Sequence, residues 1–263
     1  MTLRFLFATD LHGDLGRMRL LVEKGIEGGA DILFLGGDLF RGGGGNSVES
    51  QRTFLKEELQ PLFENFPGEV YTIFGNNDWH AAVKDLERLC PKIWSLEGVK
   101  KDIDGMTVAG VSYVPVTPFP IKDWERYEEG AALPEGSTPA GYCSRSGSVS
   151  PCTVPVERTL MDEYRKLGSL QGAVLISHGP PRDTCADLGW GGQSLGSADL
   201  VRLIDEEKPA AVLCGHIHEA PRRSGRSVER LGGTLVANPG SFRGELTCIG
   251  GEFDGTLFLE PGP

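Results

Sequence analysis

The chain opens on the stretch that decides its fold, Leu3-Arg4-Phe5-Leu6-Phe7-Ala8-Thr9-Asp10-Leu11-His12-Gly13. A short, mostly apolar run passes into a polar turn that contains glycine. The run is too short for the roughly 20 residues of a membrane span or for the core of a signal peptide. The same phrase then returns along the chain. Asp31-Ile32-Leu33-Phe34-Leu35 runs into Gly36-Gly37-Asp38, and Val70-Tyr71-Thr72-Ile73-Phe74 into Gly75-Asn76-Asn77-Asp78. Ala173-Val174-Leu175-Ile176 runs into Ser177-His178-Gly179-Pro180-Pro181, and Ala211-Val212-Leu213-Cys214 into Gly215-His216-Ile217-His218. Apolar runs of this length closed by such turns read as buried strands. Between the first three, residues 14–27 place Leu15, Met18, Leu21, Val22 and Ile26 at helical spacing. Residues 49–65 do the same with Phe54, Leu55, Leu59, Leu62 and Phe63. Strand alternating with helix predicts an α/β chain with a parallel layer covered by helices.

The later chain changes character. Shorter strands are expected near 99–103 and 106–111, and helices at about 155–168 and 197–207. Residues 113–155 are rich in Pro, Gly and Ser and show little periodicity. They read as a long loop excursion within one domain spanning 1–263, because the alternation resumes after them. Residues 221–260 alternate in β fashion with glycine turns. The formal charge of −11 repels a phosphate backbone and disfavours nucleic acid as a partner. The six cysteines, Cys90, Cys143, Cys152, Cys185, Cys214 and Cys248, form no C-x-x-C pair. Without a secretion signal they predict reduced thiols and a cytoplasmic location; the sequence leaves a Cys143–Cys152 pairing open. It carries no signal for oligomeric state and no membrane segment.

The chemistry sits at the strand ends, where open α/β sheets bind ligands. Taken singly, each turn is ordinary. Asp-x-His-Gly caps helices, and Gly-Gly-Asp and Gly-Asn-Asn-Asp are built of common turn formers. His216 and His218, two apart in an extended segment, are expected to point the same way. Jointly the turns say more. Of the five histidines, His12, His178, His216 and His218 all fall at strand ends. With Asp10, Asp38 and Asn76 they make seven oxygen and nitrogen ligands. That number suffices for two divalent ions if one carboxylate bridges, the arrangement that activates water and clamps a phosphoryl group.

In this order the motifs resemble those of the calcineurin-like metallophosphoesterases, D-x-H, G-D, G-N-H-D/E, a lone H and G-H-x-H. They span residues 10 to 218, and Asn238-Pro239-Gly240-Ser241 is similar to a turn of the smaller bacterial and archaeal members. The resemblance implies a four-layer αββα sandwich with the metals between the sheets. It implies that Asp10, His12 and His218 hold one ion, that Asn76, His178 and His216 hold the other, and that Asp38 bridges. It further implies a small phosphate-ester substrate, a phosphodiester or an activated ester, hydrolysed by attack of metal-bound hydroxide, and gives Asp78 the task of orienting metal-binding histidines. Mixed Asp, His and Asn ligands suit manganese first, with iron, zinc, cobalt or nickel as alternatives.

One position departs from the family. Asn77 stands where many members carry a histidine that protonates the leaving oxygen, and an amide cannot do this at neutral pH. His80, three residues on, shares a helical face with Asn77 if a helix starts near Asp78, and is the alternative donor. Arg41, in a glycine-rich loop after Asp38, is a candidate phosphate contact. Arg222, Arg223, Arg226 and Arg230 are read mainly as a solvated hairpin, with a phosphate contact as the alternative. Phe119, Trp124 and Tyr127 are candidate caps for the active-site mouth, or packing over a sheet edge. Two other functions compete: a DNA-repair-type nuclease, disfavoured by the acidic charge, and a non-catalytic scaffold, disfavoured by the complete ligand set.

Overall fold

A computed structural model describes residues 2–42, 47–132 and 140–262. The apolar runs pair into two six-stranded sheets. The first runs, edge to edge, through Leu257–Pro261, Ile249–Phe253, Leu3–Ala8, Ile32–Gly36, Glu69–Ile73 and Ile93–Ser95. Its last four strands are parallel, and the two C-terminal strands close the other edge antiparallel. The second runs through Val228–Leu231, Thr234–Ala237, Ala211–Cys214, Val174–Ser177, Met106–Val111 and Lys100–Ile103. Four parallel strands form its centre, with an antiparallel strand on each edge.

Strand alternation sorts the side chains into layers. Phe5, Phe7, Ile32, Phe34 and Ile73 face the second sheet and meet Met106, Val108, Val174, Ile176 and Leu213. Phe5 and Phe34 pack edge to face, ring centroids 5.3 Å apart. Burying each such side chain is worth about 1.5–3 kcal/mol. Leu6, Ala8, Leu33 and Leu35 face outward onto the helix Leu15–Glu27 through Met18, Leu21 and Val22, and onto Leu55, Leu59 and Phe63. Leu175 and Val212 of the second sheet are covered by Leu160 and Met161 of helix Leu160–Arg165 and by Leu200 and Leu203 of helix Ala198–Glu207. The layers are helix, sheet, sheet, helix, as the resemblance implies. Asp14 and Ser197 start two of the helices by accepting from the N–H groups of Arg17 and Leu200.

The structure departs from the sequence reading in several places. The run expected at 49–65 is helix Val48–Phe54, a π-helical turn Leu55–Leu59 and a last turn Gln60–Phe63. The helix expected at 155–168 is confined to Leu160–Arg165, because its cap is Thr159. The strand Ile93–Ser95 and the short helices His80–Val83 and Leu86–Leu89 carry too few residues to show a period. Residues 221–260 begin in helix, Ala220–Ser224, rather than in a hairpin. The excursion 113–155, of which 133–139 lie outside the described residues, is partly built. Val114–Pro115 pairs with Glu125–Arg126, and Ala140–Cys143 pairs with Ser150–Thr153. It is held by buried ion pairs, Lys122–Glu125 at 2.9 Å and Arg126–Glu163 at 2.8 Å. Cys143 and Cys152 sit on this hairpin as free thiols. Among the described residues, no helix is long and apolar enough to cross a membrane.

Candidate metal centre

The parallel strands of both sheets end at one edge, and the polar turns meet there. Asp10 and His12 follow Leu3–Ala8, Asp38 follows Ile32–Gly36, and Asn76 follows Glu69–Ile73. His178 follows Val174–Ser177, and His216 and His218 follow Ala211–Cys214. Two glycines let the turns approach. A Cβ at Gly75 would lie 2.1 Å from Asp38 Oδ1 and 2.6 Å from His178 Cε1. A Cβ at Gly215 would lie 2.3 Å from Asp10 Oδ2. Backbone strain gathers at the same edge. Of the seven non-glycine residues with left-handed φ among the described residues, four are Asp10, His12, Asp38 and His216. Such strain, on the order of 1–3 kcal/mol per residue, persists only where the surroundings enforce it.

The ligand atoms of Asp10, His12, Asp38 and His218 lie within 4.8 Å of one another. The two imidazole Nε2 atoms of His12 and His218 face each other at 3.2 Å, and His218 Nε2 is 3.1 Å from Asp10 Oδ1. Asp38 turns its oxygens to opposite sides, Oδ2 toward His12 Nε2 at 3.8 Å and Oδ1 toward His178 Nε2 at 3.6 Å. His178 Nε2 is in turn 3.3 Å from Asn76 Oδ1. Two foci result, with Asp38 between them. Converging imidazole nitrogens and carboxylates form a donor set that fits divalent transition metals. His216 stands beside His178, ring centroids 5.2 Å apart, while its main-chain N–H donates to Asp10 Oδ2 at 2.9 Å. The segment carrying it is a turn rather than the extended piece expected, because His216 is left-handed at φ 66°.

The electrostatics follow from this crowding. Burial by itself raises the Asp10 carboxyl, but the His218, His178 and His12 charges outweigh it and hold it well below the usual range. Burial likewise opposes charge on His218, yet the Asp10 charge and hydrogen bond carry it up to about 9. His216 is pushed down to about 4 by burial and by His178.

Residues around the cluster fix it. His178 Nδ1–H donates to Gly36 O at 2.8 Å, which turns the Nε2 lone pair to the site. The Thr9 hydroxyl donates to Asp10 Oδ2 at 2.8 Å. Arg17 donates to Leu11 O and to the Ser241 hydroxyl, and that hydroxyl donates to Asp10 O. Asn238 Nδ2 donates to Ala186 O, Gly215 O and Ile217 O, tying down the Gly215–His218 turn. Gln51 clasps the loop after Asn76, accepting from Trp79 N–H and donating to Asn77 O, both at 2.8 Å. Sequence reading misses Arg17 and Gln51 because each acts across tens of residues, and Thr9 because a hydroxyl at a strand end reads as an ordinary turn residue; of these supports, the Asn238–Ser241 turn alone is marked in the sequence.

Several expected roles change. Asp78 does not orient a histidine. Its buried carboxylate accepts the N–H groups of Leu39, Phe40 and Gly75, so it locks the loops that carry Asp38 and Asn76. Burial, then the Asp38 charge, pushes its carboxyl above the ordinary range. Asn77 Nδ2 donates to Asp38 Oδ2 at 2.6 Å, and its N–H to Asp38 Oδ1 at 2.8 Å. His80 turns away from the metal cluster. Its ring lies 5.5 Å from Trp124 and lines a separate cavity with Phe74, Lys84 and Glu97, because its helix begins at His80 itself rather than near Asp78. Burial, then Arg145, lowers its pKa.

Arg41 lines the cavity beside His12 and His218; the rest of its glycine loop, 43–46, lies outside the described residues. Arg222 is paired with Glu245, Arg226 with Glu229, Arg223 lies over Trp190, and Arg230 donates to Gly233 O. Of the three aromatics, Phe119 alone reaches the site, edge-on to His216 at 6.5 Å. Trp124 stacks on Phe74 and donates to Asp78 O, bracing the loop from behind, and Tyr127 is buried.

The fold and this cluster of ligands define a metal-dependent hydrolase. Residues 3–220 match the calcineurin-like phosphoesterase family, and the chain belongs to it. It is thereby a dinuclear metal-dependent enzyme acting on phosphate ester bonds. An uncharacterized protein of Methanocaldococcus jannaschii, MJ1162, is 25% identical over 239 residues, 88% of this chain and 85% of that protein. Among solved structures, TT1561 of Thermus thermophilus superposes with a TM-score of 0.57 at 18% identity, covering 99% of each chain. A dimetal phosphatase from Danio rerio gives 0.56 at 10% identity, covering 99% of this chain and 96% of that one. These likenesses are of fold.

Proposed function

We propose that the chain hydrolyses small phosphodiesters and activated phosphate esters with two divalent ions held at the strand ends. The convergence of Asp10, His12, Asp38 and His218 within 4.8 Å carries this reading. Asp10, His12 and His218 would hold one ion, Asn76, His178 and His216 the other, and Asp38 both. Bound there, the ions supply Lewis-acid stabilisation of phosphoryl oxygens and a reactive water at neutral pH. Manganese is the first candidate, with iron, zinc, cobalt and nickel also suited to these ligands.

The chain's own residues do the rest. Thr9 and the His216 N–H orient Asp10, the Gly36 carbonyl orients His178, and Asn77 orients Asp38. Arg41, at the rim beside His12, contacts a phosphoryl oxygen. Asn77 has no proton to give at neutral pH and His80 faces another cavity, so the leaving oxygen departs without a protein acid. That favours esters with acidic leaving groups. The −11 charge supports a small substrate over nucleic acid. The test is hydrolysis of bis(p-nitrophenyl) phosphate by chelated protein reloaded with each metal. Metal-restored turnover is expected, and none with any metal would refute the reading.

A further inference from the structure

The cavity beside His12 and His218 has a volume of about 750 Å³, and its charged lining is Asp14, Arg17, Arg41 and Arg243. In a chain of charge −11, three arginines against one carboxylate is a local reversal of sign. Their partners divide them. Arg17 is buried and already engaged, with Asp14 at 3.2 Å and with Ser241 and Leu11 O at 2.8 Å. Glu245, two residues from Arg243, is taken by Arg222 at 2.6 Å, and that guanidinium also covers Phe242 at 3.4 Å. Arg41 and Arg243 are exposed, and neither has an ion-pair partner among the described residues.

Both are nonetheless fixed to the motif loops. Arg41 packs on Gly13, where an added Cβ would meet its backbone N at 3.1 Å. Arg243 follows Ser241, whose N–H donates to His218 O at 3.2 Å and whose hydroxyl donates to Asp10 O at 2.7 Å.

We propose that Arg243 binds a second phosphate group of the substrate, beside the scissile ester that Arg41 and the metal cluster hold. This rests on the functional reading above. Two divalent ions against Asp10 and Asp38 leave two positive charges, which one phosphoryl group offsets in whole or large part. Arg17 and Asp14 offset each other. Arg243 then remains as a free fork of donors suited to a further phosphate. The cavity lies in the roughly 300–1,000 Å³ range of sites for whole small molecules, more than a lone phosphate fills. The second phosphate can be joined through an anhydride, as in a diphosphate ester, or through a separate ester, as in a bisphosphate.

The test compares kcat/KM for a diphosphate ester and for a nucleoside bisphosphate with that for a single-phosphate diester. Wild type, Arg243→Ala and Arg243→Lys are measured with the same metal. A preference for one two-phosphate substrate is expected in wild type, and which one distinguishes anhydride from separate ester. Losing one charge-assisted contact should lower that preference about 10- to 100-fold in Arg243→Ala, mostly through KM, with partial recovery in Arg243→Lys. Calorimetric titration of metal-free protein with methylenediphosphonate should show a matching loss of affinity, larger than for inorganic phosphate. An unchanged preference overturns the proposal. If wild type cleaves no ester with any metal, the functional reading falls, and the diphosphonate titration alone decides Arg243. Because Arg243 is exposed, its variants should melt as wild type does.

Discussion

Replacing Asn77 by histidine should change how the rate depends on the leaving group, and the structure sets the size of two opposing effects. The variant loses the hydrogen bond from Asn77 Nδ2 to Asp38 Oδ2, 2.6 Å long and made to a charged group. Such a bond is worth about 1.5–3 kcal/mol, so about 10- to 100-fold in rate. It gains a group able to protonate the departing oxygen, which supplies about 10²–10⁴-fold where protonation is needed. For a nitrophenolate leaving group, which departs unaided, the loss dominates. For an alkoxide the gain dominates, by about 10- to 100-fold. The assay is log kcat/KM across aryl and alkyl diesters plotted against leaving-group pKa. Wild type should give a steep line and Asn77→His a shallower one that crosses it. His80→Ala should follow the wild-type slope, since His80 lies against Trp124 in another cavity. Parallel lines for wild type and Asn77→His would refute the reasoning, and a line made steeper by His80→Ala would make His80 the acid.

Other perturbations probe the scaffold. Removing metal should lower Tm: at 100-fold excess over Kd each ion adds about 2.7 kcal/mol, roughly 5–10 °C for a chain of this size. An unchanged melt after verified removal would contradict folded-state binding. Asn238→Ala leaves the Ala186 carbonyl without its side-chain donor and strips the second donor from Gly215 O and Ile217 O, which keep the N–H groups of Ile217 and Ala220; it should cost about 2 kcal/mol in denaturant unfolding, with loss of metal from the Gly215–His218 side. Glu97 is raised to about 7, chiefly by burial, while Ser112 N–H donates to it. A carboxyl raised on folding adds stability below its unfolded pKa and loses it as pH rises through the folded value. Glu97→Gln should therefore gain about 3 kcal/mol over wild type on going from pH 4 to pH 8, measured by urea unfolding. Equal pH profiles would oppose this.

The strands and the ligands they deliver are legible in the sequence because one physical pattern writes both. A buried parallel strand is a short apolar run, and its carboxyl end is where a polar turn is exposed to the site. The strand-end places of Asp10, His12, Asp38, Asn76, His178 and His218, which the structure brings together, are thus read from position. What supports them is not legible. Gln51 sits on a helix face otherwise read as core, and its partners are Asn77 and Trp79. Arg17 looks like any surface arginine of an amphipathic helix, yet it reaches Ser241, 224 residues away. The conformation of Gly215–His218 escapes the sequence because a two-residue repeat suggests a strand, while the left-handed His216 that breaks it leaves no trace in composition. The direction of His80 escapes it for a similar reason, since a helix of four residues has no period from which its face can be read.

The central claim is that Asp38 joins two ions, its oxygens facing His12 on one side and His178 on the other. Elemental analysis of purified protein, reconstituted with manganese and freed of excess metal, tests this most directly. Wild type should hold two ions per chain. Asp38→Asn, which keeps the shape and removes the shared negative charge, should lose most bound metal and nearly all hydrolysis. One ion in wild type, or two retained by Asp38→Asn, would contradict the account.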